Sequence, residues 1–113
     1  EKQVGFEAVK AEYEALAKAN ENSWRILFSI ANVFSYNEYF KEAIPMWQKT
    51  FDCMPKPRYT DSFEAMAQCC VRMGDHESAV EYYKKELELL REDWGLKYGA
   101  EVDALEEKIR ALQ

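Results

Sequence analysis

Residues 61–93 read DSFEAMAQCCVRMGDHESAVEYYKKELELLRED. Within this stretch Phe63, Met66, Ala67, Cys70 and Val71 recur at spacings of three and four, which places them on one side of a helix and predicts that this side is buried. Ala79, Val80, Tyr83, Leu87 and Leu90 repeat the pattern for a second helix. Between the two, Met73-Gly74-Asp75 interrupts it: Gly74 supplies the left-handed conformation that ends a helix, and Asp75 a carboxylate to cap the next. Helices joined by so short a turn lie antiparallel, as a hairpin.

The hairpin is written a second time upstream. Ala43 precedes Ala79 by thirty-six residues, and the neighbourhoods agree: Glu42-Ala43-Ile44 with Ser78-Ala79-Val80, Trp47 with Tyr83, Phe51 with Leu87. The preceding helices agree as well, Leu27, Ile30, Ala31 and Phe34 matching Phe63, Met66, Ala67 and Cys70. Self-similarity at this period predicts a stack of helical hairpins. On these residues the chain resembles the tetratricopeptide repeat family. Ala31, Phe34, Ala43, Trp47 and Pro55 carry the family pattern in the first copy; Phe63, Met66, Ala67, Gly74, Asp75, Ala79 and Tyr83 carry it in the second. Thr50 and Glu86 stand where the family usually has a small alanine. Arg91 stands where it has a closing proline, so the last helix of the second hairpin is expected to run on towards Trp94. The resemblance implies an all-α fold, a right-handed stack of antiparallel helical hairpins with about six helices. One domain over residues 1–113 would hold a leading helix (1–21), two repeats (24–57 and 60–93) and a capping helix (98–112).

The totals fit that expectation. A chain of 113 residues is long enough for a continuous core, and 48% hydrophobic and 14% aromatic residues argue against disorder. A formal charge of −6 repels phosphate backbones and anionic lipid, so direct nucleic-acid binding by this chain is not expected. No apolar run approaches the roughly 20 residues that cross a bilayer, and no basic-then-apolar leader opens the sequence. Cys53, Cys69 and Cys70 form an odd set without metal-ligand spacing, read as reduced thiols of a cytoplasmic protein. The sequence does not open on Met, which suits a fragment cut from a longer protein.

Taken in order, Phe6, Val9, Tyr13 and Leu16 make a stripe on a helix from Lys2 to about Asn20. Ala8-Val9 resembles Ala43-Ile44 and Ala79-Val80, so this helix reads either as an independent leader or as the second half of an earlier repeat. Ser23 or Asn22 caps a helix over 24–36 that is apolar nearly all round and is therefore expected to be enclosed on more than one side. Asn37-Glu38 make the turn, and Tyr39 to Met54 the partner helix. Pro45 lies beyond that helix's first turn and is expected either to delay its start or to kink it at Lys41. Pro55-Lys56-Pro57 ends it. Residues 94–99 carry two glycines and form a turn. Val102, Leu105, Ile109 and Leu112 then stripe a closing helix.

From Gly74 onward the chain also resembles the end of the bacterial transcriptional activator domain, through Gly74-Asp75, the run Leu90-Arg91-Glu92-Asp93-Trp94-Gly95-Leu96 and the helix that opens at Glu101. That resemblance implies a sensing or oligomerising part of a regulator.

Reactive chemistry finds little support in the residues. His76 sits beside Asp75 and Glu77 with no nucleophile near it in sequence, and reads as a solvated turn residue. Cys69 and Cys70 read as core. Glu77, Glu81, Glu86, Glu88 and Glu92 interleave with Lys84 and Lys85, and read as a solvated helix face. No catalytic residue, metal ligand set or cofactor motif is assigned. The tetratricopeptide resemblance implies instead a groove lined by the first helix of each pair: Arg25, Phe28, Asn32 and Tyr36, then Asp61, Glu64, Gln68 and Arg72. Phe28, in the place of the lysine of the family's carboxylate clamp, and the acidic Asp61 and Glu64 argue against a C-terminal carboxylate as ligand. Phe28 and Tyr36, rimmed by Arg25, Asn32 and Gln68, suit an apolar or aromatic side chain on a partner segment. The alternative is that some of them pack against the opening helix. The expected activity is non-enzymatic binding of a peptide or protein segment, with the regulator domain as second reading and a homodimer through the opening helix or groove as third.

Overall fold

The breaks in the apolar pattern become the ends of helices. The computed structural model describes residues 4–113 as α1 (Val4–Ala19), α2 (Trp24–Tyr36), α3 (Phe40–Cys53), α4 (Asp61–Arg72), α5 (His76–Trp94) and α6 (Ala100–Leu112), with no strand among the described residues. The part of the leading helix expected at Lys2 and Gln3 lies outside them. The chain divides into two compact units, one ending at Met54 and one running from Pro55 to Gln113.

In the first unit α2 and α3 form the hairpin. Ser23 caps α2 by accepting a hydrogen bond from the Ile26 amide at 3.4 Å. The helix ends in a left-handed turn at Glu38 (φ 67°), where the Glu38 amide donates to the Ser35 carbonyl and the Tyr39 amide to Phe34 at 2.8 Å. α2 packs on α3, with Leu27, Ile30, Ala31 and Phe34 buried on the one helix and Ala43, Trp47 and Thr50 on the other. The burial of α2 is narrower than its composition predicts, since Ile26 is exposed. Phe6 of α1 packs edge-on against Phe34 (5.1 Å) and also meets Tyr39 (5.3 Å), which anchors the start of α1 to this hairpin. Further along the same stripe Leu16 is 47% exposed. Pro45 neither delays nor divides α3. The helix starts at Phe40 and runs through the proline as its sixth residue, and the bond to the Lys41 carbonyl that proline cannot make is simply forgone.

The second unit repeats the construction. At Met73-Gly74-Asp75 the Gly74 amide donates to the Val71 carbonyl and the Asp75 amide to Cys70 at 2.8 Å, the same pair of bonds as at Ser35 to Tyr39, thirty-six positions on. Asp75 then caps α5 through the Ser78 amide at 3.1 Å. Ala43 and Ala79 are both fully enclosed, each as the fourth residue of its helix. The correspondence holds for Ala31 and Ala67, Phe34 and Cys70, Trp47 and Tyr83, and Met54 and Leu90, all buried. α5 continues to Trp94, where Gly95 (φ 67°) stops it. α6 folds back so that Leu105 and Ile109 join Ala67, Val80, Tyr83 and Leu90 in one apolar cluster.

The two turns differ at one informative position. Gly74 (φ 80°) has no Cβ to clash, whereas Glu38 carries a side chain in the same left-handed conformation. Glu38→Gly is expected to raise stability by about 0.5–1 kcal/mol and Gly74→Ala to lower it by about 1 kcal/mol, measurable as opposite shifts of the urea midpoint.

Candidate functional site

On α2, Arg25, Phe28, Asn32 and Tyr36 follow one another at three- and four-residue spacing, so one side of the helix carries all four. Arg25, Asn32 and Tyr36 are exposed and Phe28 is half-buried. Tyr36 is 73% exposed. Arg25 lies over the Trp24 ring at 4.9 Å and also borders a shallow groove between α1 and α2, together with Tyr13, Leu16, Ile26 and Val33. Phe28, Asn32 and Tyr36 do not line that groove.

On α4, Asp61, Gln68 and Arg72 are exposed, and Glu64 is committed within its own unit. Its Oε2 accepts from Lys108 Nζ of α6 at 2.8 Å and from Gln68 Nε2 at 3.0 Å. Lys108 also stands over the Tyr83 ring at 5.5 Å. The Glu64 pair holds the Lys108 ammonium above its usual range, and burial pushes the Tyr83 hydroxyl up.

Behind this pair lies Glu86, which corrects the expectation of a solvated acidic face. Glu77, Glu81, Glu88 and Glu92 are exposed, but Glu86 is 6% exposed and its Oε1 has no hydrogen-bond partner. Burial first, and then the adjacent Glu64 carboxylate, push the Glu86 carboxyl up to about 8. A signal for this was present in the repeat: Glu86 stands thirty-six residues after Thr50, which is likewise enclosed and bonds its hydroxyl back to the Trp47 carbonyl. Because Glu86 holds its proton longer in the folded chain than in the unfolded one, its stabilising contribution is complete below about pH 4.5 and is lost as pH rises towards about 8. Glu86→Gln should flatten that decline and stabilise the chain at pH 8 by about 2 kcal/mol, with little change at pH 4, as read by thermal melts across the range.

A second arrangement of the same unit escapes any periodicity argument. Asp93, near the end of α5, accepts from the Arg58 backbone amide at 2.8 Å, from Arg58 Nε at 2.7 Å and from Nη2 at 3.0 Å, and its side chain is 0% exposed. The next residue returns the bond, the Trp94 indole N–H donating to the Arg58 carbonyl at 2.6 Å. This clamp fixes the segment before α4 against the end of α5. It also shapes a cavity of about 390 Å³ lined by Tyr59, Asp61, Leu90, Trp94, Leu96 and Glu101.

Cys69 and Cys70 are buried, and burial pushes the Cys70 thiol up to about 11, which suits packing and not nucleophilic attack. His76 is exposed in the first turn of α5. No three His, Cys, Asp or Glu side chains among the described residues come together as a metal-binding group, and no described helix is long and apolar enough to cross a membrane. In comparisons with known proteins, no family model and no curated protein matches this chain.

Proposed function

We propose that this chain is a non-enzymatic protein-interaction module, working in the reducing cytoplasm, whose repeated hairpins present the outer side of their first helix to a segment of a partner protein. The observation that supports this most is the α2 face, where Tyr36 is held 73% exposed, one helical turn beyond exposed Asn32 and two beyond half-buried Phe28. Rigid aromatics and arginine are the residues that contribute most per side chain at protein interfaces, because they bury much area while few rotors are frozen. A well-packed helix supplies such a face at little ordering cost, its backbone being already fixed. On α4 the positions equivalent to Asn32 and Tyr36 are Gln68 and Arg72, both exposed.

Peptides selected against the full chain from a random display library provide the test. Tyr36→Ala, alone and with Phe28→Ala, is expected to weaken the selected peptides roughly tenfold or more while helicity by circular dichroism is retained. Affinity unchanged in both variants would count against the α2 face as the binding surface.

A further inference from the structure

We propose that the cavity of the second unit receives the side chain of an arginine presented by a partner protein, independently of the α2 face. Its walls combine two exposed aromatic rings, Tyr59 and Trp94, each 47% exposed, with the apolar Leu90 and Leu96 and the carboxylates of Asp61 and Glu101. A guanidinium on a three-carbon stem matches that set: the stem lies along the leucines, the planar cation against an aromatic face, and its N–H groups reach the carboxylates. The rings are 6.2 Å apart and inclined at 38°, too close to admit a flat group between them, so the guanidinium stacks on an outer face. Trp94 is preset for this by its bond to the Arg58 carbonyl.

The electrostatics select the sign of the ligand. Asp61 and Glu101 stand in the first turns of α4 and α6, whose amino-terminal ends each carry about half a positive charge; a full negative charge on each carboxylate outweighs it. Arg58, the cation of the adjoining clamp, is consumed by Asp93 and does not neutralise them. The chain's formal charge of −6 adds attraction at longer range. An anionic ligand would meet two unpaired carboxylates, and a purely apolar one would strip them of water without replacing it.

The test is a titration of the isotope-labelled full chain with acetyl-Gly-Arg-Gly-amide, followed by NMR at the Trp94 indole N–H and the Leu96 and Glu101 amides. The arginine peptide is expected to shift these signals saturably, and the same peptide with norleucine in place of arginine to leave them nearly still. Asp61→Asn with Glu101→Gln should weaken the arginine peptide roughly fivefold or more, and raised salt should act in the same direction. Glu101→Gln alone, at an exposed position, gives the same result at smaller amplitude should the double variant lose helicity. Equal shifts from the norleucine peptide, undiminished binding by a folded charge-neutral variant, or no saturable shift at Trp94 would each overturn the proposal.

Discussion

Trp47→Ala lowers the stability of the chain by about 3–5 kcal/mol, the range for deleting a large aromatic from a closed core. Trp47 is among the largest fully buried side chains, set on α3 one turn after Ala43 and three residues before Thr50. Truncation leaves a hole that Ala43 and Thr50 are too small to fill. Trp47→Phe provides the control. It keeps most of the packing and removes an indole N–H that is buried with no acceptor, so its cost should stay below about 1.5 kcal/mol. Urea unfolding followed by circular dichroism separates the two outcomes. Similar losses in both variants would mean that the ring's full size, and not burial as such, sets the core.

The second large effect is expected at Asp93. Asp93→Ala removes the acceptor of three hydrogen bonds from Arg58, leaving a backbone amide and a guanidinium to find other partners, at a cost of about 2–3 kcal/mol. The Arg58 guanidinium holds the Asp93 carboxyl at about 2, below its ordinary value of 3.8. The unfolded chain therefore binds more protons than the folded one between these values, and stability rises with pH there. The Asp93 contribution is complete above about pH 4 and is lost as pH falls towards 2, so the variant and the parent converge in strong acid. Glu86 acts in the opposite sense at higher pH. The two carboxyls therefore act on opposite sides, the Asp93 contribution being lost towards strong acid and the Glu86 contribution as pH rises. Melting temperatures of parent and Asp93→Ala from pH 2 to 8 check both arms.

What could be seen in the sequence follows from which interactions are local. The three-and-four spacing of Leu27, Ile30, Ala31 and Phe34, and Gly74-Asp75 at the turn, mark helices and breaks within a few residues, and α2 falls on the expected 24–36. The period carried further still, because Ala43 and Ala79 share the same burial at equivalent helix positions. Glu86 is hidden from a reading along the chain by its acidic neighbours, while on the helix it shares the buried stripe with Tyr83 and Leu90, three residues before and four after it. Of the two effects expected of Pro45, a delayed start or a kink at Lys41, the delay is absent: α3 begins at Phe40, and Ala43 and Trp47 on either side of the proline are both buried. The Arg58 and Asp93 clamp joins a loop to a helix end across thirty-five residues, and no periodicity encodes such a pair. The cavity beside it, built from Tyr59, Trp94 and Glu101, was invisible for the same reason.

The recurrence of one hairpin after thirty-six residues is the claim on which the proposed interaction module rests, and backbone NMR tests it at its most specific point. Chemical shifts and three-bond couplings should report positive φ at both Glu38 and Gly74, with the Tyr39 and Asp75 amides protected from solvent exchange by their bonds to Phe34 and Cys70. Negative φ at Glu38 combined with rapid exchange at Tyr39 would show that the first hairpin turns differently from the second, and the equivalence of the two would be lost.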